Sequence, residues 1–150
     1  MLIGLVSDTH GLLRPEALDA LRGVDLIFHA GDVGGYAVLS GLEAIAPTRA
    51  VYGNVDAPGP SLAAAIDCDL EGSRLHVSHG HEIGSPTPAR LAARYTADVI
   101  VFGHTHLALI AHIGPALVIN PGAAGPARFK LNPSIALLTL PERDARIVWL

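Results

Sequence analysis

Residues 2–10, with the sequence LIGLVSDTH, join an apolar run to two side chains that commonly bind metals. The run over Leu2–Val6 is typical of a buried strand, and Asp8 and His10 follow it two positions apart. Both side chains can face one cleft if the chain bends after the strand, and Gly11 favours such a bend. Ser and Asp are also frequent turn residues, so the segment by itself is equally typical of an ordinary turn.

Four further segments repeat this arrangement, each with Asp, Asn or His directly after an apolar run. They are Gly31-Asp32, Gly53-Asn54, His79-Gly80-His81 and Gly103-His104-Thr105-His106. The carboxyl ends of neighbouring strands lie side by side in α/β proteins, and ligands bind there. We therefore predict that the five segments meet in one cleft. Oxygen and imidazole ligands in this number suit two divalent metals that share a carboxylate.

The segment Gly103-His104-Thr105-His106 is the most specific of the five. Two histidines beside apolar strand residues bring polar rings close to a core that must satisfy their hydrogen bonds. Metal coordination is a common solution, although a single His-x-His pair is weak evidence. Zinc-finger spacing is excluded because Cys68 is the only cysteine. The ordered combination of all five segments is what indicates a site.

The composition favours one cytoplasmic α/β domain over residues 1–150. Hydrophobic residues make up 50% of the chain, yet polar residues interrupt each apolar run before the roughly 20 residues of a membrane span. A lone cysteine and the lack of a signal-peptide pattern predict a reducing cytoplasm. The net charge of −4 and the dispersed basic residues argue against a dedicated nucleic-acid surface. Anionic substrates are not excluded, because bound metals can dominate the local charge.

Hydrophobic periodicity predicts a strand–helix–strand–helix–strand order in the first third of the chain, and hence parallel strands joined by right-handed crossovers. Later segments alternate with period two, which predicts antiparallel pairs. We expect strands over 66–70, 75–77 and 99–102, a helix from Thr87-Pro88, hairpins about Gly114-Pro115 and residues 141–144, and a long loop over 121–133. We also expect His76 and His112 on solvated strand faces.

The ordered set DxH, GD, GN, HGH and GHTH resembles the calcineurin-like metallophosphoesterase superfamily, and within it the small prokaryotic phosphodiesterases. The resemblance covers nearly the whole chain and includes an Asn-Pro-Gly turn at residues 120–122. It implies an α/β fold of four layers, an α-β-β-α sandwich of two mixed sheets. It also implies a metal-dependent phosphoesterase, specifically a phosphodiesterase, that attacks phosphate esters with a hydroxide held by two metals.

The same resemblance implies two divalent metal ions per chain. One metal would be held by Asp8, His10 and His106, the other by Asn54, His79 and His104, with Asp32 bridging the two. We expect Mn, while Fe, Ni, Co and Zn also suit these donors. Two dications, two carboxylates and one hydroxide leave a charge of +1, which favours binding of a phosphate ester.

Val55 departs from the family pattern. Many phosphatases of the superfamily have a histidine after the metal-binding asparagine, where it assists the leaving group, and valine cannot donate a proton. The small phosphodiesterases often lack this histidine too. The catalytic acid is therefore left open, with His81 as the nearest candidate by sequence, and a role in orienting its loop is an equally good interpretation of His81.

Two alternative functions stay open. A retromer subunit with this fold shows that the superfamily includes scaffold or interaction proteins with weakened metal sites, but no ligand position is lost here. Repair nucleases share the motifs and carry additional DNA-binding domains, for which this chain has neither room nor a basic surface. We expect a small phosphate ester as the binding partner and no membrane, and a homo-oligomer is not excluded by the sequence.

Overall fold

The computed structural model describes residues 1–150 as two mixed five-stranded sheets with helices on their outer faces. The elements in chain order are β1 (Leu2–Val6), α1 (Pro15–Ala20), β2 (Leu26–His29), α2 (Tyr36–Glu43), β3 (Thr48–Ala50), β4 (Ala65–Leu70), β5 (Ser73–Ser78), a 3₁₀ turn (His81–Ile83), α3 (Pro88–Arg94), β6 (Val99–Val101), β7 (Leu109–Ile113), β8 (Ala116–Asn120), β9 (Ser134–Thr139) and β10 (Asp144–Trp149). None of the three α-helices combines the length and apolar character needed to cross a bilayer.

The first sheet has the strand order β10-β9-β1-β2-β3. Strands β1, β2 and β3 are parallel, with Leu5 opposite Phe28 and His29 opposite Ala50. Strands β9 and β10 form an antiparallel hairpin that extends this sheet beside β1. The parallel strands joined by helices in the first third of the chain are therefore confirmed.

The second sheet has the strand order β4-β5-β6-β8-β7. Its three central strands, β5, β6 and β8, are parallel, whereas β4 and β7 pair antiparallel at the two edges. The hairpin about Gly114-Pro115 joins β7 to β8, as the sequence predicts. Both sheets therefore mix parallel and antiparallel pairs.

Three hydrophobic cores separate four layers. The first core lies between the sheets, where Ile3 and Leu5 of β1 face Val99 and Val101 of β6. The second lies between the first sheet and helices α1 and α2, and Val6 points into it because alternate side chains of a strand face opposite sides. The third packs α3 against the second sheet. The expected α-β-β-α sandwich of two mixed sheets is confirmed.

Local sequence signals explain where two of the helices begin. Pro15 occupies the first turn of α1, where its missing N–H has no intrahelical partner to lose. Thr87 caps α3, and its hydroxyl accepts a hydrogen bond from the Arg90 amide at 3.2 Å. The loop predicted over residues 121–133 contains neither helix nor strand.

The expectation for His76 is wrong, whereas His112 is exposed as predicted. His76 is 3% exposed, because β5 is an interior strand and the ring stacks on Tyr95 with the ring centroids 3.7 Å apart. Its Nδ1 lies 2.8 Å from a carboxylate oxygen of Asp67 on β4. The alternating pattern alone did not reveal that a residue beyond α3 covers this face.

Candidate metal centre

The seven predicted ligand residues meet in one cleft formed by loops from both sheets. The loops after β1, β2 and β3 contribute Asp8, His10, Asp32 and Asn54, and those after β5 and β6 contribute His79, His104 and His106. Asp8 and His79 are fully buried and Asp32 is 3% exposed, whereas Asn54 is exposed. The cleft therefore has a buried base that opens to solvent beside Asn54.

Asp8, His10 and His106 form one group of donor atoms. The Nε2 atom of His106 lies 3.3 Å from Asp8 Oδ1 and 3.5 Å from His10 Nε2. His10 Nε2 and Asp8 Oδ1 are 3.9 Å apart. All three side chains thus direct one donor atom toward a common point, with spacings that suit a metal ion.

Asn54, His79 and His104 form a second group beside the first. The Oδ1 atom of Asn54 lies 3.1 Å from His79 Nε2 and 3.1 Å from His104 Nδ1. Asp32 Oδ2 lies 3.3 Å from His79 Nε2, so the carboxylate reaches this group as well. The group combines one neutral amide oxygen, one carboxylate and two imidazoles.

Asp32 stands between the two groups. Its Oδ2 atom is 3.3 Å from His79 and 3.7 Å from His10, so one oxygen atom approaches a member of each group. Asp8 Oδ1 behaves similarly, at 3.3 Å from His106 and 3.9 Å from His79. Both carboxylates therefore face both groups, and Asp8 belongs to two sets of converging donor atoms, one with His10 and His106 and one with Asp32 and His79.

The donor set fits divalent metals. Asp8 Oδ1 is buried without any hydrogen-bond partner, although it faces several imidazole nitrogens, and a buried carboxylate oxygen needs a cation or a donor. His79 Nδ1 lies 2.7 Å from the Ala30 carbonyl, which can only accept, so Nδ1 carries the hydrogen and Nε2 points into the cleft. A backbone carbonyl in this position commonly orients a metal-binding histidine.

Burial and hydrogen bonds set the protonation of the cleft. Burial pushes the pKa of Asp32 upward, but hydrogen bonds from His79 and the Val55 amide outweigh it and hold the pKa at about 2. Burial disfavours a charged His79, yet its hydrogen bond to Asp32 and the charge of Asp8 raise its pKa. Burial lowers the pKa of His10 and of His104. Metal binding needs an ionised carboxylate and neutral imidazoles, so the lowered pKa values of Asp32, His10 and His104 favour it and the raised pKa of His79 opposes it.

Five of the seven residues have a left-handed backbone, with φ between 46° and 68°: Asp8, His10, Asp32, His104 and His106. Only nine non-glycine residues of the chain have positive φ, so these conformations concentrate at the cleft. The sharp turns are held by backbone hydrogen bonds between the loops, such as Asp8 N to Gly31 O at 3.0 Å. Strained residues persist where surrounding contacts impose them, and they cluster at functional sites.

Two glycines of the motifs are required by close approach. A Cβ at Gly31, which has φ of +94°, would lie 2.6 Å from the His79 ring. A Cβ at Gly103 would overlap the Ser7 hydroxyl and lie 2.8 Å from Asp8 Oδ2. The glycines before Asp32 and His104 thus make room for a candidate ligand or its support from another loop.

Asn120 holds the loop that carries His104 and His106. Its side-chain amide donates to the Gly103 carbonyl at 2.9 Å and to the Thr105 hydroxyl at 3.0 Å, while its Oδ1 accepts from the Gly122 amide at 2.9 Å. These hydrogen bonds tie the Asn-Pro-Gly turn to the Gly-His-Thr-His segment. In the sequence, only the family resemblance indicated that this turn is important.

A model of the calcineurin-like phosphoesterase superfamily domain matches residues 1–143 of the chain. The chain belongs to this superfamily. It is 36% identical over 159 aligned positions to a protein described as a probable metallophosphoesterase from Methanothermobacter thermautotrophicus, and the alignment covers 99% of this chain and 92% of that relative. Membership implies divalent metal binding, in agreement with the donor set of the cleft.

Solved structures share the superfamily fold along the full chain. An archaeal phosphodiesterase superimposes with a TM-score of 0.85 at 25% identity, covering 100% of both chains. Vps29 from Chaetomium thermophilum superimposes with a TM-score of 0.84 at 17% identity, covering 100% of this chain and 97% of Vps29. The second likeness establishes the fold alone.

His81, the predicted proton donor, lies beside the second group of this metallophosphoesterase cleft. Its ring centroid is 5.3 Å from that of His79 and 6.3 Å from that of His104. Its Nδ1 is buried without a hydrogen-bond partner, and the nearest carboxylate oxygen, on Glu82, is 3.8 Å away. The structure thus brings His81 to the edge of the site without fixing a role for it.

The mouth of the cleft is a cavity of about 210 Å³. Some of the side chains that line it lie outside the five sequence motifs. Besides ligand residues, Val55, Arg128 and Phe129 line it. Arg128 and Phe129 belong to the loop between β8 and β9 and are exposed. The sequence allows Arg128 either to contact phosphate or simply to be exposed, and it favours exposure. The charge of Arg128 reinforces the effect of burial in lowering the pKa of His10. Only the fold of the whole chain brings this loop next to the candidate metal ligands.

Proposed function

We propose that the chain is a phosphodiesterase that hydrolyses phosphate diesters with two divalent ions bound in the cleft. The observation that carries this proposal is the buried, unpartnered Asp8 Oδ1, which faces imidazole nitrogens of His10, His79 and His106. No hydrogen bond within the protein neutralises this oxygen. A cation bound there satisfies the carboxylate and the imidazole lone pairs together.

We assign the ligands of each ion as the family resemblance implies. Asp8, His10 and His106 hold one ion, Asn54, His79 and His104 hold the other, and Asp32 lies between them. When bound, two such ions lower the pKa of a shared water and polarise the phosphoryl oxygens. We expect Mn, although Fe, Ni, Co and Zn suit the same nitrogen and oxygen donors.

The protein's own residues orient these ligands and limit the charge of the cleft. The Ala30 carbonyl fixes the His79 tautomer, and the Ser7 hydroxyl and the His104 amide donate to Asp8 Oδ2 at 2.6 and 3.1 Å. Asn54 is neutral, so Asp8 and Asp32 are the only anionic ligands. Two dications are then only partly neutralised, and the cleft attracts an anionic ester.

A diester with a good leaving group is the substrate that the cleft suits best. Val55 lines the cavity and cannot protonate a departing oxygen. His81 is the remaining candidate for a catalytic acid, since its buried Nδ1 has no partner. We therefore expect faster hydrolysis of activated aryl phosphodiesters than of alkyl phosphomonoesters.

We further propose that residues 1–150 act as one functional domain in the cytoplasm. The ligand residues come from loops of both sheets, so neither sheet holds the site alone. Cys68 is the only cysteine, which agrees with a reducing compartment.

A scaffold function is the second candidate, supported by the fold likeness to Vps29. The complete set of seven donor residues argues for the enzyme, because a scaffold needs no converging ligands. The two functions differ in one measurable property, which is metal-dependent hydrolysis.

The deciding experiment strips the protein of metal, reconstitutes it with Mn, Fe, Ni, Co or Zn, and measures bound metal and hydrolysis of bis(p-nitrophenyl) phosphate. We expect about two metals per chain with excess Mn, together with a gain of diesterase activity. Trace metal occupancy and no gain of activity with any metal would favour the scaffold.

A further inference from the structure

Phe129 is an unusual residue at the mouth of the cleft. Its side chain is 85% exposed, although aromatic rings contribute strongly to packing when they are buried. Phe129 and Lys130 also have left-handed backbones, with φ of 54° and 59°. Left-handed phenylalanine and lysine are less common than left-handed Asp, Asn or His. The loop thus presents a ring to solvent in a strained conformation, beside the metal ligands.

Val55 presents a second apolar side chain to the same cavity. It is 57% exposed and directly follows the candidate ligand Asn54. Only seven large hydrophobic side chains of the chain are exposed, and two of them line this one cavity of about 210 Å³. Polar residues line the rest, namely His10, Asp32, Asn54, His104, Thr105, His106 and Arg128. An apolar wall therefore adjoins the atoms that would bind a phosphoryl group.

Arg128 adds a positive charge to this wall. It precedes Phe129 and lines the same cavity as His10 and Asn54. Guanidinium groups bind phosphate oxygens through paired hydrogen bonds. The cavity thus combines a phosphate-binding cation with an exposed ring on adjacent residues.

We propose that Phe129 and Val55 bind a planar aromatic substituent of the ester while Arg128 contacts its phosphoryl oxygens, which makes this wall the specificity determinant of the site. The inference rests on the proposed phosphodiesterase function and names its substrate class, phosphate esters that carry an aromatic ring. An exposed aromatic side chain stacks on planar rings of any kind, and an alkyl group offers no such ring.

The test uses two pairs of inert or product-like probes that share a phosphorus head group. Phenylphosphonate and methylphosphonate differ in a simple aryl ring, and adenosine 5′-monophosphate and ribose 5-phosphate differ in a nucleobase. Dissociation constants are measured by calorimetry on Mn-reconstituted protein, wild type and variants, with bound Mn quantified in each. Because the readout is binding, it does not depend on turnover.

For wild type we expect the ring-bearing probe of at least one pair to bind roughly tenfold tighter than its partner. F129A should remove most of that preference, and F129Y should retain it, because tyrosine keeps the ring. R128A should weaken all probes by a similar factor without changing the preference. Since Phe129 packs little surface into the protein, F129A should leave folding and Mn content unchanged.

The outcomes separate the two proposals. A preference confined to the phenylphosphonate pair identifies aryl esters, and one confined to the adenosine pair identifies nucleotides. If wild type hydrolyses diesters but binds both members of each pair equally, or if F129A keeps the full preference, the inference is wrong and the proposed function stands. If Mn-loaded wild type binds no probe and hydrolyses no diester, both are wrong.

Discussion

The base and the mouth of the cleft are built differently. The base, formed by Asp8, Asp32 and His79, is almost fully buried, and each side chain is held by backbone groups of another loop. The mouth, formed by Val55, Arg128 and Phe129, is exposed, and the side chains of these three residues make no hydrogen bond or ion pair.

This difference indicates a division of function. The side chains of the base cannot move without breaking contacts between loops, so they can keep metal ligands at fixed spacing. The side chains of the mouth can change without cost to the core, so they can adapt to a substrate. Substitutions in the base should therefore affect metal binding and stability, and those in the mouth should affect substrate preference.

The largest expected effect is that of Asp32→Ala in the base. Removing the carboxylate that approaches both groups should lower metal occupancy at both sites and reduce diesterase activity by roughly 1,000-fold or more, since metals supply several kcal/mol of catalysis. Metal analysis and steady-state kinetics measure the two effects. Asn54→Ala is the matched control and should mainly weaken one site. Two tightly bound metals in Asp32→Ala would contradict the bridging position.

The next effect concerns His29, which lies behind the base. Burial lowers its pKa from the ordinary 6.5 to about 4. The Gly31 amide donates to its Nδ1, and its Nε2 lies 2.9 Å from the Thr9 hydroxyl, as suits a neutral ring. Below pH 6.5 the unfolded chain binds a proton that the folded chain refuses, so stability should fall by roughly 3 kcal/mol between pH 6.5 and 4 and level off below.

Urea denaturation of metal-free protein at several pH values measures this contribution against His29→Gln. Glutamine does not titrate, so the stability difference between wild type and variant should shrink steadily as the pH falls through this window. A difference that is constant from pH 7 to 4 would show that His29 does not carry the pH dependence.

A smaller effect is expected for Asn120→Ala, which removes support for the Gly-His-Thr-His loop. We expect metal affinity to fall by about 10- to 100-fold, as for other residues that orient metal ligands. Ser134→Ala is the control, because the Ser134 hydroxyl donates to the Pro121 carbonyl at 2.7 Å and makes no hydrogen bond to the Gly-His-Thr-His loop. Equal metal affinities in the two variants, measured by competition with a chelator, would contradict a positioning role for Asn120.

The smallest effect is expected at the mouth, for Val55→His. A new proton donor should accelerate esters with poor leaving groups by up to about tenfold, well below the 10²–10⁴-fold of an established general acid. The measurement is the dependence of kcat on leaving-group pKa, which should be steep in wild type and shallower in the variant. The wild-type kcat could prove independent of leaving-group pKa while chemistry is rate-limiting. If His81→Ala is then also independent of it, neither residue explains protonation of the leaving group.

Much of the base was predictable from the sequence. The motifs have a short-range signal, because in each a strand ends and Asp, Asn or His follows within a few residues. Strand β1 was predicted to the residue, since the apolar run over Leu2–Val6 ends directly at turn residues. His76 was predicted wrongly because its cover, Tyr95, comes from an element 19 positions away, which alternation along one strand cannot reveal.

The sequence by itself determined the fold class, the superfamily and which residues offer metal-binding atoms, because those properties depend on local patterns and residue chemistry. Only the tertiary structure decided which nitrogen of His79 faces the cleft and that Asp8 Oδ1 has no hydrogen-bond partner. It also decided that Arg128 and Phe129 lie at the mouth of the cleft. These properties depend on atoms from loops that are distant in the chain, and their spacing is set by the packing of the two sheets.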